Sequence, residues 1–402
     1  MRLIVVSHKR VWYYNGCYFT VGGFPRQMRM FQEIFDQVII CCPVPKEPVP
    51  PGAENISKMG LEVLPLRHLP TRTVFNKLRF LIALPGYWQT IRTILREADV
   101  VQVRIPHYIG IIGIYAARSL HKPIFVWLGG DWAGIVVARG RNTARMLFSV
   151  FLRWYLPRLF KDLLVLAPEP KVLGRNTMGI NIIEVINTNI FKEEITKSVS
   201  PQIPKVDTRT SLLFVGRLDY IKGVDVLLNA LSELKSLRWH LDIVGDGTTS
   251  LLDSLRQQAA ELGISDRVRF HGRQPRESVR RYYELADILI VPSRNEMSPK
   301  VVIEAMANGV VVVASAVGAI PRLLAEGRGY LVEPGDSLQL ARTLRSLIEK
   351  PEQLLTCSER SLEFARSNTV EAVAQQIEEA LKEYLDIDKL KVKDCPTESK
   401  DV

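Results

Sequence analysis

Runs of Val, Ile and Leu too short for helices alternate along this chain with segments of helical period. The alternation halts once and then begins again. The first series reads RLIVVS, QVIICCPV, LEVLPL, DVVQVRI, PIFVWLGG, LLVLAP and NIIEVI, with helical patterns at residues 24–35, 109–120 and 143–160 among them. A polar, proline-containing stretch, SVSPQIPKVDTRT, breaks it. SLLFVG, WHLDIVG, RVRFHG, ADILIVP, VVVVASA and YLVEP then follow, again separated by helices. Strands that are apolar on both faces must be covered on both, so the pattern predicts parallel, doubly wound sheets. The fold class is therefore α/β: two tandem Rossmann-like domains with an interdomain cleft at the carboxyl ends of their strands, where such sheets take ligands.

At 402 residues the chain is too long for one ordinary core. The expected layout is a first Rossmann-like domain at 1–190, a linker at 191–210 and a second Rossmann-like domain at 211–368. A helix at 369–388 and a tail at 389–402, expected to be disordered, complete it. The longest apolar stretch, 105–117, is broken by Pro106 and His107 and falls short of the ~20 residues of a membrane span, so a buried helix is expected. MRLIVVSHKR reads as a strand and not as a signal peptide. Cys17, Cys41, Cys42, Cys357 and Cys395 show no metal spacing, which suits a reducing cytoplasm.

Charge divides the chain. Residues 1–190 hold 24 Lys and Arg against 11 Asp and Glu, a net of +13, whereas the remainder nets −3 of the overall +10. A basic first half points to an anionic partner: a membrane surface or a phosphate-bearing acceptor. Nucleic acid is the least expected of the anionic partners, since no recognition motif accompanies the charge, and no nucleic-acid partner is expected here.

Between Glu296 and Glu304, in PSRNEMSPKVVIEAMANG, a helix is predicted to begin. Ser298 is a suitable N-cap, Pro299 fits the first helical position, and VVIEAMA is a strongly helical run. Glu296 then lies in the loop and Glu304 on the second turn, around a helix N-terminus that attracts an anion, with Lys300 adding a cation. Two hydroxyl-seeking carboxylates beside an anion site describe a receptor for a sugar nucleotide. In GRLDYIKG, Gly216 ends a strand and turns the backbone, and Arg217 and Lys222 follow as phosphate-binding cations. LDIVGDG supplies a second glycine turn at Gly245. VRFHGRQP places Arg273 beside a possible base pocket, with His271 read as a packed side chain in preference to a base.

Three segments of the first half keep two readings each. Gly22–Gly23 precedes a helix near Phe24 and either lets backbone amides approach a phosphate or sugar, or is a plain turn. Asp131 in WLGGDW is either an acidic group at the cleft edge or a helix cap. TARMLFSVFLRWYLPRLFK, with Arg145, Arg153, Arg158 and Lys161, fits an interfacial helix or, as preferred, a core helix with a basic rim. The one DxD pair, Asp386 and Asp388, lies far from these motifs, so no metal site is expected.

Gly22–Gly23, GRLDYIKG, VGDG and EMSPKVVIEAMANG together resemble glycosyltransferase family 4, retaining enzymes of GT-B architecture, densely over 212–334 and diffusely over the first domain. The resemblance implies that Glu304 binds the donor ribose, Glu296 the donor hexose, and Arg217 and Lys222 the diphosphate. It also implies that the helix at 369–388 crosses back onto the first domain, which would hold the acceptor. Three features depart from the family pattern. No His stands in WLGGDW, the usual EGFG-like turn reads Glu296-Met297-Ser298-Pro299-Lys300, and the hinge reads Asn187-Thr188-Asn189-Ile190. The activity implied is hexosyl transfer with retention from a nucleotide sugar, a UDP-sugar before a GDP-sugar. The acceptor would be a saccharide or lipid-linked saccharide of cell-envelope or exopolysaccharide synthesis. Catalysis would fall to Glu296, Arg217, Lys222 and Asp131, with no cofactor and no metal, at the inner face of the cytoplasmic membrane. The rivals are a nucleotide-sugar epimerase of the same architecture and a non-catalytic nucleotide-binding partner protein.

Overall fold

The computed structural model describes residues 1–50, 52–68, 74–138, 143–173, 177–195 and 209–387. Most of the expected linker, the tail, Asp388 and Cys395 lie outside them. The chain forms two compact units, Met1–Ile186 with Glu371–Val402, and Asn187–Val370.

The first unit runs β1 (Arg2–Val6), β2 (Trp12–Tyr14), β3 (Cys17–Thr20), α1 (Phe24–Gln32), β4 (Gln37–Val44), β5 (Glu54–Asn55) and β6 (Glu62–Arg67). After these come α2 (Val74–Leu95), β7 (Val100–Ile105), α3 (Tyr108–Ser119), β8 (Ile124–Leu128), α4 (Trp132–Ala138), α5 (Thr143–Leu159), β9 (Leu164–Ala167) and β10 (Asn181–Glu184). Seven strands form one parallel sheet in the order β10-β9-β8-β7-β1-β4-β6. The chain builds outward from β1 to one side and then returns to build from β7 to the other. The β1/β7 junction is thus the switch point where ligands of such sheets bind. A small antiparallel sheet, β2-β3-β5, stands apart. Its hairpin turns at Asn15-Gly16, both at positive φ, a strong hairpin signal that strands this short leave easy to overlook.

The second unit holds β11 (Thr210–Val215), α6 (Val224–Ser232), β12 (Trp239–Val244), α7 (Thr249–Glu261), β13 (Val268–Gly272), α8 (Arg276–Leu285) and β14 (Ile288–Val291). It continues through α9 (Lys300–Ala307), β15 (Val311–Ser315), α10 (Ile320–Leu323), β16 (Tyr330–Val332), α11 (Ser337–Glu349) and α12 (Glu352–Ser367). Its parallel sheet is ordered β13-β12-β11-β14-β15-β16, so the switch point lies between β11 and β14. Phe214, Leu227, Trp239, Ile243, Ile290 and Val313 anchor its core, all at 2% exposure or less. The last helix, α13 (Val370–Leu385), counts with the first unit from Glu371 onward. Gln376 there donates to the Glu184 carbonyl at 3.0 Å.

The reading of residues 105–117 as a buried helix agrees with α3, whose Ile109, Gly110, Gly113 and Ile114 are buried. The preferred reading of residues 143–161 does not hold. α5 buries only Ser149, Leu152, Leu156, Pro157 and Leu159. Met146, Leu147, Phe148, Val150, Phe151 and Trp154 are exposed, Leu147 at 66%. A helix apolar around most of its circumference can bury only the stripe that faces its neighbours, and here the rest faces outward. Among the described residues no helix is long and apolar enough to cross a membrane. Cys41, Cys42 and Cys357 are buried free thiols, and Cys17 is half-buried.

Candidate functional site

The second unit's switch point gathers two loops. One leaves β11 and carries Gly216, Arg217 and Lys222; the other leaves β14 and carries Glu296, Ser298 and Pro299. Gly223 joins the first loop to α6 at φ +69°, where a Cβ would stand 2.0 Å from the Pro292 carbonyl oxygen. Only glycine lets the two loops touch so closely. Arg294 clasps them. Its guanidinium makes a bidentate pair with Asp225 at 2.8 and 2.6 Å, donates to the Tyr220 carbonyl at 2.8 Å and lies 4.0 Å from the Tyr220 ring centroid.

Within that clasp Lys222 Nζ donates to Glu296 Oε1, which also accepts from Ser293 Oγ at 3.3 Å. The pair is largely withdrawn from solvent, at 23% and 13% side-chain exposure. An ammonium has three donors, so binding Glu296 leaves capacity for phosphate oxygens. Arg217 behaves differently. It is 74% exposed and pairs with Asp219 in its own loop at 2.7 Å. Exposed pairs hold each other weakly, so Arg217 can exchange that partner for a phosphate at small cost.

α9 begins one residue later than expected. Pro299 is the N-cap, with extended backbone, and no side chain caps the helix. A residue before proline is pushed toward extended conformations, which keeps Ser298 out of the helix. Ser298 instead offers its carbonyl to Asn187 Nδ2 at 3.2 Å. No acidic residue sits in the first turn, and Lys300 is its first residue. The positive end of the helix dipole therefore has no protein carboxylate in its first turn.

Glu304, on the second turn, is caged. Its Oε1 accepts from Asn189 Nδ2 at 2.6 Å and Arg276 Nη1 at 3.1 Å, and its Oε2 from the Tyr283 hydroxyl at 2.9 Å. Burial, with the nearby Glu304 charge, raises the Tyr283 pKa well above its usual range, so the phenol stays a donor. Sequence reasoning missed Asn189, Arg276, Tyr283 and Arg294. Asn187 and Asn189 stood out in the sequence only as a departure at the hinge, and Arg276 lies three residues past Arg273.

The remaining site candidates fall as follows. Gly245, at φ +148°, packs so closely on Gly216 that a Cβ would lie 1.8 Å from its carbonyl oxygen, and its N–H donates to Gly272 O at 2.8 Å. Arg273 approaches Asp246 at 4.0 Å. His271 Nε2 lies 2.7 Å from Asp242 Oδ1 and its ring stands 4.8 Å from that of Tyr282, as a packed side chain. In the first unit Gly22 turns the chain at φ +76° and Gly23 is the N-cap of α1. Asp131 Oδ1 accepts from the Gly134 N–H at 2.9 Å, the capping arrangement. Among the described residues no cluster of three or more His, Cys, Asp or Glu could hold a metal ion.

Residues 196–364 match the family model of glycosyl transferases group 1. The D-inositol 3-phosphate glycosyltransferase of Corynebacterium efficiens is 37% identical over 171 residues, and that of Mycolicibacterium smegmatis 37% identical over 177. Those matches cover 41% and 42% of this chain and 40% of each relative, so the chain spans about two fifths of the curated relatives it matches. Likeness of structure runs further. Anabaena Alr3699/HepE in complex with UDP and glucose aligns over 95% of this chain and 99% of its own, with 19% identity and TM-score 0.68. Sucrose-phosphate synthase from Thermosynechococcus elongatus aligns over 96% and 99%, with 17% identity and TM-score 0.71. At these identities the likeness fixes the fold, which is GT-B.

Proposed function

We propose, for a chain whose residues 196–364 belong to glycosyl transferases group 1, that it transfers a hexosyl group from a nucleotide sugar to a saccharide or lipid-linked acceptor with retention of configuration. The observation that carries this reading is the pairing of Lys222 with Glu296 across the β11/β14 switch point, beside the uncapped start of α9. Breaking the anomeric bond leaves negative charge on the departing diphosphate. Lys222, Arg217, Lys300 and the α9 N-terminus are the groups that would receive it, preorganised against the charge that develops. Glu296 would turn its free oxygen to the hexose hydroxyls. Glu304 would take the ribose hydroxyls in exchange for part of its cage. These cations supply the charge a divalent metal would otherwise provide, so transfer should be metal-independent. A UDP-sugar is the first donor to try, since the HepE structure holds UDP and glucose.

The first unit would carry the acceptor, and α5 would bring it to an anionic membrane. Its six exposed apolar side chains stand among Arg145, Arg153 and Arg158, as on interfacial helices. That arrangement favours work at the inner face of the cytoplasmic membrane, in cell-envelope or exopolysaccharide synthesis.

A thermal-shift and turnover screen against UDP-, GDP- and ADP-sugars, with and without EDTA, tests the reading. One nucleotide should stabilise the protein selectively in EDTA, and the product anomer read by NMR should match the donor. Stabilisation by none would sink the donor site, and an inverted product would sink retention.

A further inference from the structure

We propose that the first unit binds an acidic group of the acceptor, a carboxylate or a phosphate monoester, on Arg104 at its β1/β7 switch point. Calling the ligand an acceptor rests on the transferase reading above; the anion site stands on this unit alone.

Arg104 is the penultimate residue of β7. Its Nη2 donates to Gln27 Oε1 at 2.8 Å, while its Nη1 is shut off from solvent and has no hydrogen-bond partner. The guanidinium lies 5.2 Å from the Phe24 ring centroid and 5.3 Å from that of Trp127. Two aromatic faces and a neutral amide hold the group in place without neutralising it. Burial accordingly pulls its pKa down to about 9. Gln102, two residues back and so on the same face of the strand, is fully buried with both amide atoms unpartnered. Buried polar groups without partners are rare, and a buried charge without a counter-charge is costly.

Among the described residues no acid acts on Arg104. His8 follows β1, and its ring is covered on one face by stacking on His107 at 4.8 Å. His107 caps α3 by accepting from the Ile109 N–H at 3.3 Å. Burial of the imidazole first, and then the cations Arg104 and Lys9, lower the pKa of His8 to about 4. Burial and His8 lower that of His107 to about 3. Both imidazoles are therefore neutral at pH 7 and can each give one N–H to a ligand. An anion reaching Arg104 would supply the charge that the guanidinium lacks, and a guanidinium edge fits carboxylate and phosphate alike.

The test titrates the full-length protein, without donor, with inorganic phosphate, glucuronate, glucose 6-phosphate and glucose, following the His8 and His107 imidazole resonances. Saturable shifts with an anion and none with glucose are expected, weakened at least about tenfold in Arg104→Gln and partly restored in Arg104→Lys. Saturation by glucuronate alone assigns a uronate acceptor; saturation by the phosphates alone assigns a sugar or lipid phosphate. Either supports the site. Absence of a saturable shift with every anion, an equal response to glucose, or an unchanged response in Arg104→Gln would overturn it, leaving the guanidinium a strut between Phe24 and Trp127. Should Arg104→Gln fail to fold, Arg104→Lys decides, because it keeps the charge and loses the fork. A lack of turnover with every nucleotide sugar would remove the transferase reading and leave this binding result intact.

Discussion

The two switch points share a topology and differ in how their charges are balanced. At β11/β14 each acid already has a partner: Lys222 holds Glu296, and Arg276, Asn189 and Tyr283 hold Glu304. At β1/β7 Arg104 faces rings and an amide, and no carboxylate among the described residues acts on it. A ligand of the second unit must therefore exchange places with protein partners. A ligand of the first unit would complete a charge that the protein leaves unbalanced. Doubly wound topology decides where a crevice forms, and the side chains on two or three loop residues decide what it asks of a ligand.

Turnover should separate the two most sharply. Replacing Arg217 and Lys222 together by Ala removes two charge-assisted contacts of about 1.5–3 kcal/mol each, so kcat should fall by about 100-fold or more, with anion binding in the first unit untouched. Near-normal rates would break the assignment of charge to the β11 loop. Next in size, Glu304→Ala should abolish the donor-induced rise in Tm, an effect checked by the same thermal-shift assay; a preserved rise would remove the ribose role.

Backbone strain gives a third contrast. Gly223→Ala meets both a positive φ and the Pro292 carbonyl, whereas Gly22→Ala, at φ +76°, meets only Lys9 Nζ at 3.9 Å. Gly22→Ala should cost about 1–2 kcal/mol, the left-handed penalty alone, and Gly223→Ala distinctly more. Calorimetry that ranks them equally would show that the β11 and β14 loops are not tightly apposed. The smaller effects concern the first unit. His107 titrates near 6.5 when unfolded and at about 3 when folded, so unfolded chains bind the extra proton between those values. Its contribution to stability is complete above pH 6.5 and is lost as pH falls toward 3. A His107→Gln variant should lose less Tm than wild type between pH 7 and pH 4, and parallel profiles would contradict the buried, neutral ring. Smallest of all in stability, Leu147→Asp with Phe151→Asp should shift folding by no more than about 0.5 kcal/mol per site while abolishing sedimentation with anionic vesicles.

The sequence alone determined the two parallel sheets, because strands buried on both faces must be apolar along their whole length and so announce themselves. It also determined the loops that carry Arg217, Lys222 and Glu296, since a strand end, a glycine and a helix start are local events. Tertiary structure decided which charges meet. Lys222 and Glu296 are 74 residues apart, and Asn189 and Glu304 are separated by 115. Such pairs leave no periodic trace. Arg294 and Tyr283 look like ordinary loop and helix residues until the fold brings Asp225 and Glu304 against them. Exposure of the α5 face was undecidable from its pattern, because an all-round apolar helix reads the same whether neighbours cover it or not. The Arg104 site was hidden for the same reason: one arginine in a β-strand says nothing of charge balance until Phe24, Gln27 and Trp127 close around it and no acid does.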